Sequence, residues 1–342
     1  MGDDVINSEV EQRKERFKSF FKDKIGLENK NLIYLGVYLV IFILFYFQFK
    51  DSFRLGKNFV FLILPIITII LFLLKKPTLA LLINIIGISF IIRLQNLPFL
   101  IDVTTGKYIP ADPDAMAFLR YAQYILEHGK IMAVDTLRYY PYGFPGTAEF
   151  SFLANFIVYL YKLLSIFSST FTLELVDIIY PPIAFAISLI FFFLLVKKLF
   201  NNNNNIALLS TAFLAILPSY LFRTLTGISD KEALATVFMF AAFYFYVESW
   251  MSKDNFKAIL YGVIAGISTA LTNLIWGGGV FMFLALGIFA LIEILLNKFN
   301  KKDFYSYTSW IIVSLIILMF IFTQKYNLGT ILLSSTTAIA SF

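Results

Sequence analysis

The sequence predicts an all-α polytopic membrane protein. Of its 342 residues, 59% are hydrophobic, 18% are aromatic and only 15% are charged, whereas about 25% of the residues of a soluble domain are charged. Apolar segments of membrane-spanning length recur along the chain, and in lipid such segments form helices because each backbone polar group must be bonded within the protein. The sequence contains no cysteine, which excludes disulfides, a zinc–cysteine site and a thiol nucleophile.

The order of the elements follows from the apolar segments. Residues 1–30 carry seven Lys and Arg residues and no apolar signal core, so we expect a retained cytosolic basic arm. Nine spans are predicted at about 31–49, 58–75, 78–95, 175–197, 206–224, 232–250, 257–275, 278–297 and 307–323. The net charge of +6 lies largely in the arm and in short loops, so it indicates membrane topology and not a nucleic-acid partner.

Basic residues assign the two sides of the membrane. If the N-terminus is cytosolic, four further basic segments also face the cytosol, as the positive-inside rule expects. These segments contain Lys75-Lys76, Lys197-Lys198, Lys253 with Lys257, and Lys298 with Lys301 and Lys302. The loop with Lys50, Arg54 and Lys57 disagrees with this assignment. We therefore predict a multi-pass protein of the cell membrane with a cytosolic N-terminus.

In this topology one long region, at about 96–174, forms an external loop. The loop contains an apolar stretch at about 150–168, which is interrupted by Asn155 and Lys162. We assign this stretch to the membrane interface or to a re-entrant segment. A tenth span there would move Lys197-Lys198 to the outside and Asp230 to the inside.

Two acidic clusters stand out beside the apolar segments. Asp112 and Asp114 lie in the external loop, and Asp230 and Glu232 follow Arg223 in a short loop between two spans. Carboxylates beside hydrocarbon are unfavourable unless they are paired, solvated or bound to a metal ion. The predicted topology puts both clusters on the external side, where their oxygens suit Mg²⁺ or Mn²⁺. The sequence therefore indicates a two-part acidic site at the membrane surface.

Each cluster also has a purely structural interpretation. Asp112 is a good N-cap for a helix that has Pro113 at its first position and Gly129 at its end. Taken alone, this pattern favours the cap. Ser229 and Glu232 have the spacing of a capping box before an apolar run. The Tyr139–Gly143 loop, which contains Tyr142, is either a turn at the membrane interface or part of the wall of an external groove.

The order of these motifs resembles the membrane domain of the catalytic subunit of oligosaccharyltransferase in its archaeal form. The resemblance covers about residues 78–300, and its most specific part is the segment from Arg223 to Glu232. The matching motifs are Asp112-Pro113-Asp114, Tyr140-Pro141-Tyr142-Gly143, Tyr180-Pro181-Pro182-Ile183, Leu217 to Arg223, Thr226 to Glu232, and Trp276-Gly277-Gly278. The family implies a transmembrane bundle of the GT-C glycosyltransferase type, in which the external loop carries interfacial helices.

The resemblance also implies roles and partners. Asp112 corresponds to a residue that contacts the metal ion and holds the acceptor amide, and Asp230 corresponds to a metal ligand. Glu232 is the acidic companion of Asp230 and is also expected to bind the metal ion. Arg223, Asp114 and Tyr142 are expected to contact substrate. The family transfers an oligosaccharide from a dolichyl or polyprenyl phosphate or diphosphate to Asn in an Asn-x-Ser/Thr acceptor polypeptide, using Mn²⁺ or Mg²⁺.

The sequence departs from the family pattern at both ends. The segment 31–77 would be an additional transmembrane hairpin before the GT-C-like region 78–342. The second external loop and the soluble domain of the family have no counterpart in the sequence. The expectation is therefore a part of a longer protein, an enzyme completed by a separate chain, or a non-catalytic subunit. Two alternative functions stay open: the chain is another lipid-phosphate-dependent glycosyltransferase of the same fold, or it is a transporter.

Overall fold

The computed structural model describes residues 29–50, 59–146, 152–323, 325–334 and 336–341. The predicted cytosolic arm therefore lies almost entirely outside the described residues. The chain divides into two compact units, one up to Ile92 and one from Arg93 onwards. The described part is mainly helical, with a two-stranded antiparallel sheet. The predicted all-α membrane fold is confirmed.

The first unit consists of three apolar helices. They are α1 (Asn29–Phe49), α2 (Phe59–Leu73) and α3 (Pro77–Arg93), the last of which ends on the first residue of the second unit. A buried polar chain links them, because Tyr38 donates to Asn84 at 2.7 Å and Asn84 in turn donates to Thr68. These bonds satisfy groups that would be costly to leave unpaired among apolar side chains.

The second unit contains the remaining elements. A 3₁₀ segment at Leu94–Phe99 leads to α4 (Pro113–His128), β1 (Val134–Asp135), β2 (Phe144–Pro145), α5 (Phe152–Ser165), α6 (Leu173–Leu199), α7 (Asn204–Ile216), α8 (Pro218–Phe222), α9 (Lys231–Met251), α10 (Asn255–Ile275), a 3₁₀ turn at Gly277–Val280, α11 (Phe281–Leu295), α12 (Lys301–Ile321), α13 (Leu328–Leu333) and α14 (Thr337–Ser341).

Six helical segments of the described chain are long and apolar enough to cross a membrane. They are Pro77–Phe99, Leu173–Leu199, Lys231–Met251, Asn255–Ile275, Gly277–Leu295 and Lys301–Ile321. The other three predicted spans correspond to α1, α2 and α7, whose apolar parts are shorter. The predicted span at 206–224 breaks where α8 begins, because Pro218 has no N–H to continue the helix and suits the first position of a new one. The predicted number of nine spans stays a prediction.

Helix α5 is the apolar stretch that we assigned to the interface. Its 14 residues extend about 21 Å at 1.5 Å per residue, which is short of the roughly 30 Å of a hydrocarbon core. One face of α5, including Ile157, packs in a shared core with Phe118 of α4, Tyr180 of α6 and Leu234 of α9. The two helices of the predicted external loop thus cover one end of α6 and α9.

The opposite end of this helix bundle is basic. There Lys198, near the end of α6, pairs with Glu248 of α9 at 2.8 Å, and Trp250 of α9 donates to Glu293 of α11 at 2.9 Å. Since α9 begins at Lys231 and ends at Met251, this basic end and the Asp230 loop lie at opposite ends of the same helix.

Candidate functional site at the Asp230 loop

The site is built around the loop between α8 and α9, residues 223–230, which we call the Asp230 loop. The loop can turn sharply because Gly227 has a φ of +88°, which a residue with a side chain rarely adopts. A Cβ atom at this position would also lie 2.6 Å from Leu100 Cδ1. Thr226 and Ser229 are fully buried, and Asp230 is 8% exposed. From Thr224 to Asp230 the loop is therefore part of the packed interior.

A hydrogen bond joins the two acidic segments of the sequence. The backbone N–H of Ala111 donates to the carbonyl of Gly227 at 2.9 Å, and Asp112 is the next residue along the chain. Lys231 also lies 5.0 Å from the ring of Phe118, on the helix that Asp112 caps. The two clusters therefore lie at the same end of the bundle, as the predicted topology requires.

Asp112 caps helix α4, as the sequence predicts. Its carboxylate accepts from the N–H of Asp114 at 2.9 Å, Pro113 occupies the first turn, and Gly129 ends the helix with a φ of 76°. The cap leaves carboxylate oxygen lone pairs for a ligand, because a carboxylate accepts several hydrogen bonds. The structural role of Asp112 is thus compatible with a role at the site. Asp114 is exposed in the first turn of the same helix.

Asp230, Glu232 and Arg223 form one ionic group. Arg223 Nη1 lies 3.3 Å from Asp230 Oδ2 and 3.9 Å from Glu232 Oε1. Asp230 also accepts from the N–H of Lys231 at 2.7 Å and is the N-cap of α9. The capping box predicted for Ser229 and Glu232 is therefore wrong, because Ser229 lies one residue before the cap and its hydroxyl donates to Asp177.

The acids fit a hard divalent cation in part. Glu232 Oε2 is buried and has no hydrogen-bond partner in the described part of the chain, so this oxygen is left for a ligand. Carboxylate oxygens are ligands that Mg²⁺ and Mn²⁺ prefer. Within the described ranges, however, no three His, Cys, Asp or Glu residues are gathered closely enough to hold an ion. The set Asp112, Asp230 and Glu232 stays a prediction.

Asp177 is an acidic residue beneath the loop that the sequence analysis missed. It lies in α6, its side chain is fully buried, and both carboxylate oxygens lack a hydrogen-bond partner among the described residues. Its backbone carbonyl accepts from the Ser229 hydroxyl at 2.7 Å. The sequence did contain a signal for Asp177, since it is an acidic residue in an apolar segment, four residues before the first of two adjacent prolines, Pro181 and Pro182.

A lysine side chain, that of Lys325, lies near the turn after α10. Lys325 Nζ would be 3.4 Å from a Cβ atom on Gly277 and lies 5.3 Å from the ring of Tyr326. Burial, and then the nearby charge of Lys231, lower the pKa of Lys325. Lys231 and Lys325 therefore approach each other at the end of the bundle that carries Asp230. This proximity had no signal in the sequence, because 93 residues and several helices separate the two.

Comparison of the sequence with models of protein families identifies the family. The family model for the N-terminal part of the oligosaccharyl transferase STT3 matches residues 79–341, which is more than half of the chain. The chain belongs to the STT3 family. The match begins after α2, so the predicted additional hairpin lies outside it.

Known STT3 relatives agree with this assignment. The yeast Saccharomyces cerevisiae subunit STT3 of dolichyl-diphosphooligosaccharide–protein glycosyltransferase is 28% identical over 103 residues, which are 30% of this chain and 14% of the yeast protein. The oligosaccharyltransferase AglB from Archaeoglobus fulgidus, solved with an inhibitory peptide and a dolichol-phosphate, matches with a TM-score of 0.62 at 20% identity. That match covers 78% of this chain and 33% of AglB.

A further Archaeoglobus fulgidus oligosaccharyltransferase structure, solved with Zn and sulfate, matches with a TM-score of 0.59 at 20% identity and covers 75% of this chain and 34% of that one. The structural matches establish the fold. The STT3-family chain thus spans about a third of the solved relatives and a much smaller share of the yeast protein.

Tyr142, the remaining predicted substrate contact, lies on the loop between β1 and β2. Its side chain is 92% exposed, and both alternatives, a turn at the membrane interface and part of the wall of an external groove, stay predictions. No contact that we describe joins Tyr142 to Asp112 or Asp230. The role of Tyr142 as a substrate contact in this STT3-family chain stays a prediction.

The base of the Tyr142 loop is held by a buried acid. Asp135 accepts from Arg120 Nη1 at 2.9 Å and from the Tyr121 hydroxyl at 3.1 Å, and a second bond from Arg120 makes this pair bidentate. Arg138 donates to the same Tyr121 hydroxyl at 2.6 Å. The hydrogen bonds from Arg120 hold the pKa of Asp135 below its usual range.

We expect Asp135→Asn to lower the free energy of unfolding by about 2 kcal/mol, because charged hydrogen bonds contribute about 1.5–3 kcal/mol each. The folded-state pKa lies below the unfolded value of about 3.9. The contribution is therefore complete above that pH and is lost as the pH falls through the folded pKa. Thermal unfolding of the purified chain, measured from about pH 7 to about pH 3, should show less acid destabilisation in Asp135→Asn than in the wild type. Equal acid destabilisation in both would contradict this expectation.

Proposed function

We propose that this STT3-family chain provides the lipid- and acceptor-binding membrane part of an oligosaccharyltransferase. The reaction is the transfer of an oligosaccharide from a dolichyl or polyprenyl phosphate or diphosphate to an Asn side chain of a protein. The observation that carries the proposal is the hydrogen bond from Ala111 to Gly227, which holds Asp112 beside the Asp230 loop. A site with acids from two distant segments is suited to bind two substrates and hold them together.

We place this site on the external face of the cell membrane. The loops at the opposite end of the bundle contain Lys197-Lys198, Lys253 and Lys298, and cytosolic loops carry an excess of Lys and Arg. Since Asp230 lies at the other end of α9, the same rule puts the acidic site outside. The shortness of α5 supports this topology, because a full span there would reverse it.

Asp112 is the residue that we assign to the acceptor. An amide nitrogen is a weak nucleophile, so its attack depends on orientation and near-contact with the anomeric carbon. A carboxylate at Asp112 accepts hydrogen bonds from the Asn side-chain NH₂ and can hold it in one direction. The N-cap bond to Asp114 fixes the Asp112 side chain in turn. The acceptor would be a polypeptide with an Asn-x-Ser/Thr sequence.

Asp230, Glu232 and Asp112 would hold Mn²⁺ or Mg²⁺. When bound, such an ion offsets the negative charge that develops on the leaving lipid phosphate. Arg223 keeps Asp230 and Glu232 close together through its contacts of 3.3 Å and 3.9 Å. Its side chain is 45% exposed, so the guanidinium also faces solvent, where it can contact a phosphate oxygen.

Lys231 and Lys325 complete the proposed phosphate side of the site. Burial, and then the nearby positive charge of Lys231, lower the pKa of Lys325, so the two ammonium groups are close enough to repel each other. A bound anion relieves this repulsion, so the pair favours a phosphate over an uncharged ligand. Trp276 precedes the turn beside Lys325 and packs against the core that includes α4 and α9. Archaeal oligosaccharyltransferases of this fold have been solved with dolichol-phosphate and with sulfate, which supports an anionic ligand of this kind.

Removal of divalent cations tests the proposal. Native membranes that contain the natural protein are supplied with a lipid-linked oligosaccharide and a fluorescent Asn-x-Thr peptide, and the glycopeptide is measured by gel shift. We expect EDTA to lower transfer by about tenfold or more, because a Lewis acid contributes several kcal/mol to such reactions. Added Mn²⁺ or Mg²⁺ should restore the rate. Transfer that persists in EDTA would remove the cation from the proposal, and the absence of any transfer would refute the function.

A further inference from the structure

Two adjacent prolines lie inside the membrane helix that supports the Asp230 loop. In an α-helix the carbonyl of residue i accepts from the N–H of residue i+4. Pro181 and Pro182 have no N–H. The carbonyls of Asp177 and Ile178, four residues earlier in α6, therefore receive no such helical hydrogen bond.

Both of these carbonyls are bonded to the Asp230 loop instead. The Ser229 hydroxyl donates to the carbonyl of Asp177 at 2.7 Å, and the N–H of Gly227 donates to the carbonyl of Ile178 at 3.0 Å. Asp177, Ile178 and Ser229 are all buried. A buried carbonyl without a partner is strongly unfavourable, so these two bonds satisfy groups that the prolines expose.

A third bond joins the same part of α6 to the loop. The hydroxyl of Tyr180 donates to the backbone carbonyl of Asp230 at 2.6 Å, and Tyr180 is 1% exposed. The last four residues of the loop thus make three bonds to four consecutive residues of α6. No other contact that we describe fixes the backbone of Asp230 itself.

We infer that Pro181 and Pro182 are positioning residues, which keep two carbonyls of α6 open so that the Asp230 loop docks there in one geometry. The inference rests on the proposed function, since it concerns the same acidic site. It differs from the usual effect of proline, which is a bend in the helix. A bend alone requires no particular partner for the freed carbonyls, whereas docking requires Ser229 and Gly227.

The inference predicts a specific pattern of coupling between substitutions. Pro181→Ala supplies an N–H that competes with Ser229 for the carbonyl of Asp177, so Pro181→Ala and Ser229→Ala remove the same bond. Their effects on the loop should therefore not add, whereas those of Pro182→Ala and Ser229→Ala, which concern different bonds, should add. Simple bending of α6 predicts no such difference between the two prolines.

Hydrogen–deuterium exchange of residues 223–230 measures the docking directly. In the full chain in lipid nanodiscs, we expect each single substitution to accelerate exchange of this segment about fivefold, the factor for the loss of one buried hydrogen bond. Pro65→Ala is the matched control, since Pro65 also lies inside an apolar helix, in the other compact unit. It should leave exchange of the segment unchanged.

The outcomes separate the inference from the proposed function. Unchanged exchange in Ser229→Ala, which removes a single oxygen atom and is the mildest variant, would overturn the docking, as would additive effects of Pro181→Ala and Ser229→Ala. Ser229→Thr keeps the hydroxyl and should exchange like the wild type. Exchange reports on the loop whether or not the wild-type protein transfers glycan, so failure of the function would appear only in the transfer assay. If the docking inference and the proposed function are both correct, Pro182→Ala should lower the kcat of glycan transfer with little change in the KM for acceptor peptide.

Discussion

Asp230→Asn is expected to lower glycan transfer by about a thousandfold while the chain still folds, because the loss of a charge at the reacting centre affects the transition state by several kcal/mol. The substitution changes one oxygen to an NH₂ group. Asn is as good an N-cap as Asp, so the bond to the N–H of Lys231 is retained. The carboxylate that faces Arg223 and the proposed cation is lost. The measurement is the rate of glycopeptide formation in native membranes at saturating acceptor peptide.

A matched control separates the charge of Asp230 from its role as a cap. Asp254 is the N-cap of α10 at the opposite end of the bundle and accepts from the N–H of Phe256 at 3.2 Å. Asp254→Asn makes the same chemical change at a helix end without touching the site, so transfer should stay within about twofold of the wild type. Near-normal transfer in Asp230→Asn, or an equal loss in Asp254→Asn, would show that Asp230 is a cap and nothing more.

Local patterns predicted the helix that Asp112 begins. Both ends of this helix were predicted correctly, from the N-cap Asp112 with Pro113 and from the terminal Gly129. Such signals are visible in a sequence because these residues act on their immediate neighbours. The buried face was harder to predict. Met116 and Phe118 are both apolar, yet Met116 is 48% exposed and Phe118 is buried. In a helix with apolar residues on most sides, periodicity alone does not select the packed face.

Contacts between distant segments had no signal in a single sequence. The bond from Ala111 to Gly227 joins residues that are more than a hundred positions apart, and it is this bond that gives the predicted two-part site its geometry. The bonds from the Asp230 loop to Asp177 and Ile178 also join distant segments and had no signal in the sequence. The prolines were visible in the sequence, but their effect depends on which donor reaches the freed carbonyls. The false capping box has the same origin, since the Ser229 hydroxyl bonds to α6 and not to its own helix.

Asp112→Asn should lower transfer as strongly as Asp230→Asn, by about a thousandfold, if Asp112 orients the acceptor and also meets the cation. Asn preserves the cap on α4. It replaces one carboxylate oxygen by an NH₂ group, however, which cannot accept a hydrogen bond from the NH₂ group of the substrate Asn. Asp102→Asn is the control in the same predicted external region: Asp102 is a partly exposed acid that accepts from the N–H of Thr104 at 3.0 Å, and it has no assigned role at the site. If Asp112 is only a cap, Asp112→Asn and Asp102→Asn will both transfer glycan like the wild type, and the proposal that two acidic segments form one site will fail. If the site is shared, the double variant Asp112→Asn with Asp230→Asn should be little worse than either single variant, because residues that act as a unit lose their function together.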